Sequence, residues 1–180
     1  MSKTERDTPE GLRMLLTRDH RELDRLFDAL LEALQADARE DALRLWSAFD
    51  DGLCRHMALE EKDLLPLMHE RDAGEVEALL REHDEIRAQL ADLGVGVDLH
   101  EIRVQTVSDF IEQLRRHARR EDALAYRWAQ ANVPVAQQDA LRSALAATRA
   151  LRQRVLDLFK KGKGGVGVAR KVKSDVTSNH

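Results

Sequence analysis

Apolar residues recur at helical spacing along most of the chain. Leu12, Leu16, Leu23, Phe27, Leu30 and Leu34 form one seam, and His20 lies within it. Steps of three and four residues mark the buried stripe of an amphipathic helix. A second seam runs Trp46, Phe49, Leu53, His56, Glu60, Leu64, Leu67. A third holds Val76, Leu79, Leu80, His83, Ile86, Leu90 and Leu93, and a fourth Val104, Val107, Phe110, Leu114, His117, Glu121, Leu124 and Trp128. The fifth, Leu141, Leu145, Thr148, Leu151, Val155 and Leu158, carries no metal-ligating residue type.

Punctuation residues divide these seams. Thr8-Pro9-Glu10 reads as an N-cap with Pro at the first helical position, and the first helix runs to about Gln35. Asp37 with Glu40 resembles a capping box for a helix that Pro66 kinks or ends. Ala73-Gly74 breaks the chain before a helix from about Glu75 to Leu93. Gly94-Val-Gly-Val-Asp98 reads as a loop, with Asp98 capping the next helix, which ends before Pro134. The expectation is an all-α protein, with an up-down-up-down four-helix bundle over residues 8–131 and an additional C-terminal helix over 134–160. A disordered basic tail is expected over 161–180, where four glycines and five Lys or Arg fall.

The unusual feature is what occupies the core slots. His56 and Glu60, then His117 and Glu121, stand four apart where the pattern calls for leucine. Residues four apart lie one above the other on one helix face. A buried carboxylate without a partner is costly, so each glutamate calls for a cation. His20 precedes His56 by 36 residues and His83 precedes His117 by 34, a faint repeat of two helical hairpins. Folded on a loop near Asp37, His20 and His56 differ in level by two residues, about 3 Å. Folded near Gly96, His83 and His117 differ by eight residues, about 12 Å, so either the connection is longer than Gly94 to Val97 or the fourth helix overhangs.

Composition narrows the classes. The 180 residues are 34% charged and 4% aromatic with 3 Pro, which suits a soluble helical domain. A net charge of −4 gives no global bias toward nucleic acid, which is not expected as a partner. No apolar run reaches the roughly 20 residues of a membrane span, and Met1 to Asp7 lacks a signal peptide's apolar core, so the cytoplasm is the expected compartment. A single Cys54 excludes an internal disulfide and a thiolate metal cluster. No Glu has a His three residues later, which sets aside the paired ExxH pattern of ferritin-like carboxylate proteins, and no HExxH motif is present.

Four imidazoles and two carboxylates, His20, His56, Glu60, His83, His117 and Glu121, suit Fe, Mn or Zn rather than Mg or Ca. Two ions divide six donors and leave each a reactive position, whereas one ion with six protein ligands would have none, so a mononuclear site is the less economical alternative. The order H…HxxxE…H…HxxxE, with Leu65-Pro66 after His56-Met-Ala-Leu-Glu60-Glu61, resembles the haemerythrin-like (HHE cation-binding) family over about residues 10 to 131. The resemblance implies a non-haem di-iron centre, oxo- or hydroxo-bridged, with Glu60 and Glu121 bridging and the four histidines terminal. Oxygen-carrying members have HxxxH on the third helix; here Leu79 and Arg87 stand four residues either side of His83. The last carboxylate is also Glu at i+4 rather than Asp at i+5. One nitrogen ligand fewer leaves a position for exchangeable solvent and argues against reversible oxygen carriage.

The competing reading of Glu60 and Glu121 is a buried salt bridge, with Arg116, Arg119 or Arg120 as cation. Glu61 is expected in solvent, Tyr126 and Trp128 in core packing, Cys54 in packing, and His69, His100 and His180 as bystanders. Arg87 either turns inward to steer an anion or projects to solvent. The function expected is binding of O2, NO or peroxide for sensing, buffering or iron handling, with a homodimer through the C-terminal helix as a further partner. The alternative is a di-iron enzyme with oxidase or peroxide-decomposing activity. A metal-free interaction protein is opposed by the two glutamates in core slots.

Overall fold

The protein is described here by a computed structural model covering residues 11–99 and 104–162. Its helices are α1 (Leu12–Gln35), α2 (Arg39–Leu59), α3 (Leu65–His69), α4 (Ala73–Leu99), α5 (Val104–Ala123), α6 (Ala125–Asn132) and α7 (Val135–Gly162). A π-helical turn, Glu60–Leu64, joins α2 to α3, and no strand occurs among the described residues. The fold is all-α. α1 packs on α2, α2 on α4, α4 on α5, and α5 back on α1, so these four helices close a ring. α7 lies outside that ring against α1 and α2.

Several boundaries differ from the sequence expectation. Asp37 does not cap α2 with its side chain; the N-cap is Ala38. Asp37 instead takes a left-handed conformation (φ 53°) and closes α1, with Ala38 N–H donating to Ala33 O (2.9 Å) and Asp37 N–H to Leu34 O (3.2 Å). Asp72 caps α4 by accepting from Glu75 N–H at 3.0 Å. The loop expected at Gly94 to Asp98 is helical, because α4 runs on to Leu99. Gly94 is tolerated there because Trp46 fills the missing side chain's place: a Cβ would lie 3.3 Å from the Trp46 ring. Val97 then continues the buried seam from Leu93. This continuation settles the level of the second pair. α4 ends 16 residues after His83 and α5 begins 13 before His117, a difference of about 4.5 Å. Asp98, expected to cap the next helix, lies within α4; the cap expected at Thr8–Glu10 and the tail beyond 162 lie outside the described residues, and Lys161 and Gly162 belong to α7.

The core is divided. One apolar cluster gathers Leu23, Phe27, Phe49, Leu53, Ile86 and Phe110, with Cys54 packed at its edge. A second gathers Leu12, Leu16, Leu64, Leu79, Ala129 and Leu145. The His and Glu positions of each seam fall between these two sets, so the polar belt has apolar packing on both sides. On α7, Leu141, Leu145 and Thr148 are buried as the seam predicts, but Leu151 is exposed and Arg152 takes the next inward position.

Candidate metal centre

Both HxxxE motifs are followed by a fault in the helix. After Glu60 the chain widens into the π turn, closed by Leu65 N–H donating to Glu60 O, and Leu64 departs to φ −109°. Pro66, which has no N–H to give to the carbonyl of Lys62, opens α3 just beyond. After Glu121 the helix breaks at Leu124, with φ −114°. Each fault moves the buried seam by one residue. Leu65 and Met68 are buried in place of Leu67, and Ala125, Tyr126 and Ala129 in place of Leu124 and Trp128. π turns of this kind recur at functional sites. Here the π turn and the break at Leu124 carry Glu61 and Tyr126 into the polar belt.

All six expected residues converge. His56, Glu60, His83, His117 and Glu121 are buried, and the His20 side chain is 12% exposed. Potential donor atoms form two groups, His20, His56, Glu60, Glu121 and His83, His117, Glu60, Glu121, within each of which all lie within 4.8 Å of one another. The Nε2 atoms of His20 and His56 are 2.8 Å apart, and those of His83 and His117 3.1 Å. Two nitrogens each about 2.1 Å from one ion and at a right angle would stand about 3 Å apart. Glu60 turns Oε1 toward His56 Nε2 (3.3 Å) and Oε2 toward His83 Nε2 (3.6 Å). Glu121 turns Oε2 toward His20 (3.2 Å) and Oε1 toward His83 (3.3 Å) and His117 (3.1 Å). Each carboxylate therefore presents one oxygen to each pair of imidazoles. Glu60 Oε2 is buried with no hydrogen-bond partner. The donor set and that orphaned acceptor fit a cation.

The outer nitrogens are held as well. His56 Nδ1 bonds Asp19 Oδ2 (2.9 Å), His83 Nδ1 bonds Glu61 Oε1 (2.9 Å), and His117 Nδ1 bonds Glu82 Oε2 (2.7 Å). A carboxylate only accepts, so Nδ1 carries the hydrogen and Nε2 is the nitrogen freed for a metal. Each carboxylate is gripped in turn by arginine. Asp19 Oδ1 accepts from Arg149 (2.9 Å) and Arg152 (2.6 Å), Glu61 from Arg87 (2.6 Å), and Glu82 from Arg120 through a short bond. Arg120 also clasps Glu75. The salt-bridge reading of Glu121 is thereby set aside: Arg120 is engaged elsewhere, and Arg116 and Arg119 are exposed. Arg87 neither enters the site nor projects free; it fixes Glu61, which is not the solvated residue the sequence suggested.

Tyr126 was expected in core packing, and it is fully buried, but its hydroxyl belongs to the site. It donates to Glu60 through a short hydrogen bond and lies 3.1 Å from both His20 Nε2 and His56 Nε2. Its oxygen is also 3.2 Å from Glu121. Burial and the two carboxylates push the phenol's pKa well above its usual value. Burial opposes charge on His56, yet Glu60 and Asp19 outweigh it and hold the imidazole's pKa well above normal. His117 is raised to about 9, Glu121 and Glu82 prevailing over burial. Burial would raise Glu121, but His117, His20 and His83 drive it well below the carboxylate range. Without metal, His117 and Glu121 favour one another's charged forms.

A ring of helices that buries four imidazoles around two shared carboxylates defines a cation-binding bundle. The sequence model of the hemerythrin HHE cation binding domain matches residues 13–129, which include all six residues and Tyr126, and the chain belongs to this family. Comparison with curated proteins and with solved structures gives no match. No described helix is long and apolar enough to cross a membrane.

Proposed function

We propose that the protein holds two iron ions, one in each group of donors, and that the pair takes up O2, NO or peroxide for sensing, buffering or iron handling. The observation that carries this reading is the division of both carboxylates, one oxygen of Glu60 and of Glu121 toward each imidazole pair. The nitrogen-rich set suits Fe, with Mn or Zn as substitutes. When bound, such a pair supplies open coordination positions and redox equivalents. The chain's own residues hold the imidazole tautomers through Asp19, Glu61 and Glu82 and exclude bulk water with the two apolar clusters.

One observation favours an enzyme as the second reading. A cavity of about 350 Å³ opens between α1 and α5, walled by Leu23, Phe27, Phe49, Leu53, Ile111 and Leu114, and reaches His20 of one group and His117 of the other. It gives small molecules a route to both groups, and its volume matches pockets that take small organic ligands. A reducing compartment such as the cytoplasm suits the lone thiol of Cys54. A homodimer through α7 would use its outer face, where Val135 and Leu151 are exposed. Metal analysis and optical spectra of aerobically isolated protein test the main reading. Two irons per chain, lost on replacing both His56 and His117 by Ala, are expected; full metal content in that variant would refute the assignment. Catalytic turnover of peroxide by the loaded protein would favour the enzyme.

A further inference from the structure

α7 lies outside the family-matched residues 13–129, yet it reaches the metal centre's supporting layer. Arg152 Nη2 donates to Asp19 Oδ1 (2.6 Å) and to Glu22 Oε2 (2.7 Å). Arg149 Nε donates to the same Asp19 oxygen (2.9 Å), and its Nη2 to Leu15 O (2.7 Å). The other Asp19 oxygen bonds His56 Nδ1. Asp19 is wholly buried and Arg152 is 4% exposed. The route has been given room: a Cβ on Gly52 of α2 would stand 2.9 Å from Arg152 Cδ.

The two groups of donors are therefore backed differently. His83 and His117 are supported by Glu61 with Arg87 and by Glu82 with Arg120, all from α4, α5 and the π turn. His56, which belongs only to the other group, is supported by an aspartate whose remaining oxygen is held, among the described residues, by Arg149 and Arg152 of α7. Stripped of both arginines, Asp19 would be a buried carboxylate with one hydrogen bond, an unfavourable state relieved by rotation or by water entering. Either change loosens its hold on His56.

We propose that Arg149 and Arg152 make α7 a positioning element for the His20/His56 metal position and not for the His83/His117 position. The inference rests on the two-ion reading above, and its test separates the two. The full chain is loaded anaerobically with Fe(II), counted, and its ions followed into a ferrous chelator. In R149M/R152M one of two ions should leave about 10–100-fold faster, the usual cost of losing a ligand's outer partner, while the second leaves at the wild-type rate. R149K/R152K should restore part of the retention. R120M should speed the second ion instead. Equal acceleration of both ions in R149M/R152M, or of neither, would overturn the proposal. If the double variant does not fold, R149M alone, which leaves the buried Arg152 in place, should show the same selectivity to a smaller degree. A wild-type count of one ion refutes the two-ion reading. The proposal then stands if that ion leaves faster in R149M/R152M and not in R120M, and any other pattern overturns it.

Discussion

Glu60→Gln preserves side-chain volume while removing a charge that both imidazole pairs share. In the metal-free protein Glu60 Oε2 has no hydrogen-bond partner to lose, but the charge that accepts from Tyr126 and favours protonated His56 is lost, so each variant's metal-free form serves as its own reference. An orphaned buried acceptor itself costs about 1–3 kcal/mol. The effect should show on adding metal. An ion present at a thousandfold over its Kd adds about 4 kcal/mol to stability, so the two ions proposed above would add about 8 kcal/mol. If loss of one donor weakens a position about a hundredfold, that position's contribution falls to roughly 1.4 kcal/mol at the same concentration. His117→Ala damages one group and should retain about 5–6 kcal/mol of the metal's stabilisation, whereas E60Q damages both and should retain about 3 kcal/mol. At about 2–4 °C per kcal/mol for a domain of this size, the three proteins should separate clearly in thermal melts with and without Fe(II), in the order wild type, H117A, E60Q. An E60Q protein whose melting temperature rises with metal as much as that of H117A, or more, would refute the shared role of Glu60.

Two further outcomes follow from the geometry. His117 titrates near 9 in the folded protein against an ordinary 6.5, so the stability it contributes is complete below 6.5 and is lost as pH rises through about 9; metal-free melts should fall over that window while competition-measured metal affinity rises, and a flat affinity would contradict it. Gly52→Ala places a Cβ 2.9 Å from Arg152 Cδ and 3.1 Å from Leu23 Cδ2; overpacking of about 1–3 kcal/mol should outweigh the roughly 1 kcal/mol gained in helix propensity, and chemical denaturation showing a net gain would refute the tight passage of Arg152.

How much of this was legible in the sequence depends on helical regularity. His20, His56, Glu60, His83, His117 and Glu121 could be read because each falls on a seam upstream of any fault. Glu61 and Tyr126 could not, since one-residue shifts at the π turn and at Leu124 bring them inward, and a fixed period carries no sign of such a shift. Asp19 was within reach: it is three residues after Leu16 and four before Leu23, an acid in a core slot beside His20. Arg152, four residues after the buried Thr148, was legible in the same way but lost to the more apolar Leu151. Gly94 misled for a tertiary reason, because glycine normally weakens a helix and here it seats Trp46.

The phenol of Tyr126 makes the two donor groups unequal, and this bears on where a small ligand binds. Its single hydrogen goes to Glu60, and its oxygen lies 3.1 Å from His20 Nε2 and from His56 Nε2 and 3.2 Å from Glu121 Oε2, which places it at the first group. That group therefore has a fifth potential donor, an oxygen, at hand, while among the described residues His83 and His117 share the two carboxylates. Neither neighbour one turn from His83 changes this count: Leu79 is buried in the second apolar cluster and Arg87 is tied to Glu61. An added anion such as azide should thus find its place at the His83/His117 position, which the cavity reaches at His117. Tyr126→Phe removes the competing oxygen and a hydrogen bond to a buried carboxylate, so the metal-free variant should lose about 1.5–3 kcal/mol. Once loaded, it should accept azide at both positions. Titration of loaded protein followed optically, with parallel melts of the metal-free form, reads both effects. A single azide per chain in wild type and two in Y126F is expected. Two in wild type, or one in both, would show that the phenol does not set the difference between the groups.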